Sequence, residues 1–167
     1  MIDTARILVG WACNLKCTYC CNEQERFRKD ILPTTLDKIN WSQYNVFCVS
    51  GGEPLLAIGR IKEVCDRIPK GKLVILYTNG ILLTSALAVL CESIGIAGMN
   101  IGLHYPATYD RLIKSVTEAT KNTTMKIRFH AQDIYEKELT TKYPNVSFRF
   151  WKMDDCDRVN EDRFVLS

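Results

Sequence analysis

No apolar run in this chain reaches the roughly 20 residues that a membrane-spanning helix needs. The most apolar stretch, Ile81 to Cys91, is interrupted by Thr84 and Ser85. Charge of one sign is scarce as well. Lys plus Arg number 22 and Asp plus Glu 19, an excess of +3, too small to point to nucleic acid or an anionic membrane as a partner. The start, Met1-Ile2-Asp3-Thr4-Ala5-Arg6, places an acid where a secretory signal carries positive charge, and no small-residue cleavage pattern follows it. Internal repeats, low-complexity tracts and linkers are missing too. These absences exclude a membrane span, a basic nucleic-acid binder and a disordered tail, and lead us to expect a cytoplasmic protein.

What is present is a globular composition with many cysteines. Hydrophobic residues make up 47% and charged residues 25% of 167 residues, the balance of one soluble domain spanning 1–167. A chain of this length buries roughly 70% of its unfolded surface, so it needs no covalent staple. The eight cysteines therefore need another explanation. In a reducing compartment disulfides rarely persist, and clustered cysteines more often bind metal or do chemistry.

Along the chain, β-branched and aromatic runs bounded by turn residues predict six strands: Ala5–Gly10, Asn45–Ser50, Leu73–Thr78, Gly98–His104, Met125–Ala131 and Val146–Trp151. Apolar residues at three- and four-residue spacing predict helices at Ile58–Ile68, Leu83–Ile94, Ala107–Thr120 and, more weakly, Ile134–Tyr143. Alternating strand and helix implies parallel strands joined by right-handed crossovers. The exception is the first connection, 34 residues between Gly10 and Asn45 with one modest helix candidate, Thr34–Trp41. A long, cysteine-bearing loop inside a small domain is usually functional.

That loop reads Trp11-Ala12-Cys13-Asn14-Leu15-Lys16-Cys17-Thr18-Tyr19-Cys20-Cys21-Asn22. Cys13, Cys17 and Cys20 form Cys-x3-Cys-x2-Cys, and three thiolates so spaced can hold three irons of a cluster. The fourth iron would stay open for a small molecule, as a catalytic metal site requires. Other readings stand beside this one. The spacing also fits one face of a helix with buried thiols. Cys21 could complete a zinc site, or shift the set to Cys17-x3-Cys21. Further on, Gly51 and Gly52 expose backbone amides, and Pro54 holds Glu53 extended so that its carboxylate is aimed. The plainer reading of Gly51-Gly52-Glu53-Pro54 is a tight turn into a helix.

The cysteine motif resembles the signature of the radical S-adenosylmethionine (SAM) superfamily. Tyr19 before the third cysteine, Gly51-Gly52-Glu53-Pro54 after the second strand and Thr78-Asn79-Gly80 after the third extend the likeness. The resemblance implies an α/β fold, a partial (β/α)6 TIM-like barrel of six parallel strands over about 5–151, with a short C-terminal tail at 152–167. It implies a [4Fe–4S] cluster on Cys13, Cys17 and Cys20. It also implies SAM bound by Tyr19, Gly51, Gly52, Glu53, Pro54, Thr78 and Asn79, with Glu53 and its glycines receiving the methionine amino group. Such an enzyme cleaves SAM to methionine and a 5′-deoxyadenosyl radical that takes hydrogen from a small molecule or peptide. It draws its electron from a flavodoxin- or ferredoxin-type donor.

Further candidates are weaker. His104 ends the fourth strand, where the family often places polar residues near ribose or substrate. Arg128, His130 and Arg149 could meet an anionic substrate at the rim. Asp154, Asp155 and Asp157 could bind a divalent cation, but a solvated acidic turn explains them better. Cys48, Cys65 and Cys91 read as buried thiols, while Cys156 in the tail could reach the active-site side. Two rival functions remain open: a glycyl-radical activase acting on a partner enzyme, and a non-catalytic iron–sulfur carrier or zinc module.

Overall fold

Parallel strands can be joined only by crossovers that carry the chain back over one face of the sheet, and the segments between the strands provide them. A computed structural model describes residues 2–152 and 160–167; Asp154, Asp155, Cys156 and Asp157 lie outside the described residues. The strands are β1 (Thr4–Leu8), β2 (Ile31–Thr34), β3 (Val46–Ser50), β4 (Leu73–Thr78), β5 (Gly98–Gly102), β6 (Lys126–Gln132), β7 (Phe148–Trp151) and β8 (Asp162–Leu166). The helices are α1 (Glu25–Arg28), α2 (Ile58–Arg67), α3 (Ser85–Ser93), α4 (Tyr109–Thr120) and α5 (Glu136–Lys142). All eight strands pair in parallel, in the order β2-β8-β1-β3-β4-β5-β6-β7. The sheet is a partial barrel, with β2 and β7 as its edges.

The two faces of the sheet differ by residue parity. Ala5, Ile7, Phe47, Val49, Leu76, Met99, Ile101, Phe129 and Ala131 face the helices and are buried in one continuous core. Against them pack Ile61 and Val64 of α2, Ala88 and Cys91 of α3, Ile113 and Val116 of α4, and Leu139 of α5. The alternate positions Arg6, Tyr77, Asn100, His130 and Arg149 point to the other face, where they line one cavity. The strands thus alternate between a helix-facing apolar row and a cavity-facing polar row. Local signals start the helices. Thr84 accepts a hydrogen bond from Leu87 N at 3.2 Å to cap α3. Pro106 opens the short 3-10 turn that leads into α4.

Six strands lie where the sequence places them, and two more extend the sheet. The helix expected at Thr34–Trp41 is replaced by β2 followed by short 3-10 turns at Leu36–Lys38 and Trp41–Gln43. Pro33 lies within β2, and an edge strand is where a sheet accepts proline. The segment expected as a tail ends in β8, which inserts between β1 and β2.

The insertion makes the last residues structural. Removing residues 161–167 would strip β1 of one neighbour and β2 of its only one. We expect the shortened chain to lose its cooperative unfolding transition in urea, followed by circular dichroism. A truncated chain that unfolds at the full-length midpoint would show β8 to be dispensable.

Candidate functional site

The loops that follow β1, β3, β4 and β5 meet at the C-terminal ends of the strands, where α/β sheets build their sites. The β1–β3 pairing continues beyond both strands. Val9 N donates to Ser50 O at 2.9 Å, Gly52 N to Gly10 O at 3.0 Å and Glu53 N to Ala12 O at 2.7 Å. So close an approach requires glycine. A Cβ on Gly51 (φ +152°) would fall 2.6 Å from Gly10 O, and one on Gly52 would fall 2.3 Å from Ala12 O. Asn22 Nδ2 closes the loop from the other side, donating to Gly51 O at 2.7 Å.

Glu53 joins this turn to the next strand. Its side chain is buried, with the residue 2% exposed. Oε1 accepts from Leu55 N at 3.0 Å and from Thr78 Oγ1 at 2.6 Å, while Oε2 accepts from Asn79 N at 2.8 Å. Burial pushes the carboxyl pKa up, and the three donors oppose that rise. Asn79 Nδ2 in turn donates to Asn14 Oδ1 at 2.7 Å, inside the cysteine loop. Glu53 and Pro54 therefore stand behind the cavity wall, and the wall at this turn is formed by Gly51, Gly52, Thr78 and Asn79.

Cys13, Cys17 and Cys20 are free thiols, the first exposed and the other two half-buried, and all three line the same cavity. Burial, and then the neighbouring Cys20, pushes the Cys17 thiol up; a bound cation reverses that bias. Cys21 is disulfide-bonded, which departs from the expectation that disulfides play no part here, and it does not join the free set. Among the described residues no three His, Cys, Asp or Glu side chains lie close enough together to hold one metal ion. A cubane places its ligands on separate irons, and three accessible thiols on one loop beside open glycine backbone fit such a cluster.

Tyr19 spans the mouth. Its hydroxyl donates to His104 O at 2.5 Å, and its ring lies 6.0 Å from His104 and 5.6 Å from Trp151, centroid to centroid. Tyr105 OH donates to Lys16 O at 3.3 Å, a second tie between the cysteine loop and the end of β5.

The cavity, about 320 Å³, runs inward past His104 to Arg6, Tyr77, Asn100, His130, Arg149 and Glu161. Its volume lies in the range of small-molecule sites. Gly102 makes room for His104, since a Cβ there would lie 2.4 Å from the ring Nε2. Burial lowers the pKa of His104. His130 is lowered to about 3 by burial, then by Arg149, Arg128 and Arg6. Both histidines are neutral at ordinary pH. Of the sequence candidates, Cys13, Cys17, Cys20, Tyr19, Gly51, Gly52, Thr78, Asn79, His104, His130 and Arg149 share this cavity; Arg128 does not line it. Arg6, Tyr77, Asn100, Trp151 and Glu161 were not singled out by sequence. Period-two alternation along β1, β4 and β5 was the available signal for the first three.

Comparison with known proteins gives a consistent picture. The model of the radical SAM superfamily matches residues 7–131. The GTP 3′,8-cyclase of Chlorobaculum tepidum is 33% identical over 109 residues, covering 61% of this chain and 33% of the relative. The probable GTP 3′,8-cyclase of Methanocaldococcus jannaschii is 30% identical over 165 residues, covering 83% and 53%. The chain thus spans about a third and about half of these relatives. Among solved structures, BtrN in complex with AdoMet and 2-DOIA superposes with a TM-score of 0.54 at 18% identity, over 77% of this chain and 56% of that one. Streptococcus suis SuiB bound to S-adenosylmethionine gives 0.53 at 14%, over 98% and 47%.

Two predictions follow from the geometry. Gly52→Ala forces a Cβ into the Ala12 carbonyl and should destabilise the chain by about 1–3 kcal/mol in urea melts. Gly59→Ala, in α2 with open space around it, should be neutral or stabilising by up to about 1 kcal/mol. Equal effects would refute the close-approach argument. The second prediction concerns pH. Unfolded His130 titrates near its ordinary value of about 6.5, so the unfolded chain binds a proton that the folded chain refuses down to about 3. Its share of stability falls as pH drops through that window, by up to about 1.4 kcal/mol per pH unit. His130→Gln should flatten the acid side of the stability–pH curve, measured by urea unfolding between the two limits.

Proposed function

The chain belongs to the radical SAM superfamily, and from that premise we propose that it holds a [4Fe–4S] cluster on Cys13, Cys17 and Cys20 and turns a radical from SAM on a small molecule. One observation carries this reading. The three free thiols, the Gly51-Gly52 backbone and the Thr78-Asn79 turn all line a single cavity that continues into a polar interior. When bound, the reduced cluster supplies the electron that splits SAM into methionine and a 5′-deoxyadenosyl radical.

The protein's own groups do the remaining work, which is orientation and exclusion. Gly51 and Gly52 present backbone to the methionine end without side-chain obstruction. Glu53 fixes Thr78 and Asn79 in place. Tyr19, tethered to His104 O, supplies a flat face for the adenine and narrows the mouth against water. His104, neutral and with Nδ1 unpartnered, offers one hydrogen bond to ribose or substrate. A low-potential donor of flavodoxin or ferredoxin type delivers the electron. The inward extension of the cavity favours a small molecule over the alternative of a partner chain modified by an activase. The names of the two relatives make GTP the first substrate to test.

Anaerobic reconstitution with iron and sulfide, followed by dithionite and SAM, should release 5′-deoxyadenosine, detected by chromatography. Cys17→Ala should abolish both iron retention and release, whereas Cys65→Ala and Cys91→Ala, remote on α2 and α3, should retain iron. A wild type that binds zinc and no iron, or a Cys17→Ala variant that still releases 5′-deoxyadenosine, would overturn the reading.

A further inference from the structure

Glu161, just ahead of β8, has a carboxylate whose two oxygens are treated unequally. Oε1 accepts from Arg6 Nε at 2.6 Å and from Arg163 Nε at 3.1 Å. Oε2 has no hydrogen-bond partner among the described residues, although the side chain is only 1% exposed. A buried acceptor on a charged group is costly to leave unmet, and Glu161 lines the cavity, so a ligand there can supply the missing donor.

The charges around it say which kind of donor. Two guanidinium groups already flank this carboxylate, the single anion among the described residues that line the cavity, so a ligand ammonium would add a third cation beside it. A neutral hydroxyl or amide N–H meets Oε2 without that penalty. Arg149 lines the same inner end from β7, opposite His130 in the register, and it stays open enough to turn its fork toward a ligand. Arginine binds phosphate and carboxylate through paired donors. Arg6, Arg128 and Arg149 together act on His130, whose Nε2 is also buried without a partner. Among the described residues that line it, the inner end therefore sets Arg6 and Arg149 against Glu161 alone, beside one open acceptor.

We propose that this inner end is a substrate subsite for an anion whose neutral part carries hydroxyl or amide N–H donors, with the donors on Glu161 Oε2 and the anionic group on Arg149. The inference rests on the reading of the chain as a SAM-cleaving enzyme and adds the substrate's chemical class. Ribose 5-phosphate, gluconate and GTP share that class, and they separate its sources: sugar phosphate, sugar acid and nucleotide.

The test is calorimetric titration of the anaerobically reconstituted holoenzyme with each of these three anions and with putrescine as a cation. At least one anion should bind, putrescine should not, and Arg149→Gln should weaken the bound anion by about tenfold or more. Glu161→Gln should weaken it similarly. If that variant misfolds because Arg6 and Arg163 lose their buried partner, Arg149→Gln, at an exposed position of the edge strand β7, still decides. No binding by any of the three anions, tighter binding of putrescine, or undiminished affinity in Arg149→Gln would overturn the proposal. Release of 5′-deoxyadenosine by the same wild-type preparation keeps the two readings apart. Release without anion binding refutes only the subsite, and anion binding without release refutes only the SAM chemistry.

Discussion

A single buried carboxylate holds three loops of this protein together. Glu53 receives Thr78 Oγ1, Asn79 N and Leu55 N through its side chain, and its own N–H reaches Ala12 O in the cysteine loop. Asn79 closes the triangle by donating to Asn14. Hydrogen bonds to an ionised group contribute about 1.5–3 kcal/mol each, and removing one partner leaves the others around a buried, under-satisfied charge. The arrangement is therefore all-or-none. It sets the cysteine loop against the ends of β3 and β4 before any cofactor arrives, which spares the cofactor the ordering cost of assembling its own site.

This constraint also explains why the first loop can be long without being loose. It is held at its start by the continued β1–β3 ladder and at Asn22 by the Gly51 carbonyl. On the far side, the Tyr19 hydroxyl donates to His104 O and the Tyr105 hydroxyl to Lys16 O, and both bonds tie the loop to the end of β5. Glycine is the enabling residue, since the backbones of Gly52 and Ala12 lie closer than any side chain permits. The two glycines thus have a packing reason as well as a ligand-facing one, and the plain turn reading and the functional reading of that motif are both satisfied.

How much of this the sequence disclosed follows from distance along the chain. Cys13, Cys17 and Cys20, the Gly51–Pro54 turn and Thr78–Gly80 were legible because each is a local pattern with a local physical meaning. The six strands from β1 to β7 other than β2 were legible for the same reason. β8 was not, because a five-residue strand at the end of the chain is defined by its pairing with β1, which no local window contains. Nor was Glu53's anchoring role, which depends on donors from residues 78 and 79. The polar inner row was hidden by its neighbours: Arg6 and Asn100 each sit between apolar residues and Tyr77 follows the apolar run Leu73–Leu76, so no local window separates the two faces of the sheet.

That inner row divides the work of the sheet between its two faces. The helix-facing positions supply the stability, through a core that includes Phe47, Leu76, Met99 and Ile101. The opposite positions are relieved of that task and carry Arg6, Tyr77, His130 and Arg149 instead. Arg6 shows how such groups are kept. Burial works against its charge, and the adjacent Glu161 more than restores it, while its guanidinium lies 4.3 Å from the Tyr77 ring centroid. Burying an ion pair of this kind is weak evidence of stabilisation, since the desolvation of both partners offsets their attraction. A sheet that keeps such a pair beneath the cysteine loop, with one carboxylate oxygen unmet among the described residues, draws its stability from the helix-facing core and leaves this face free for other work.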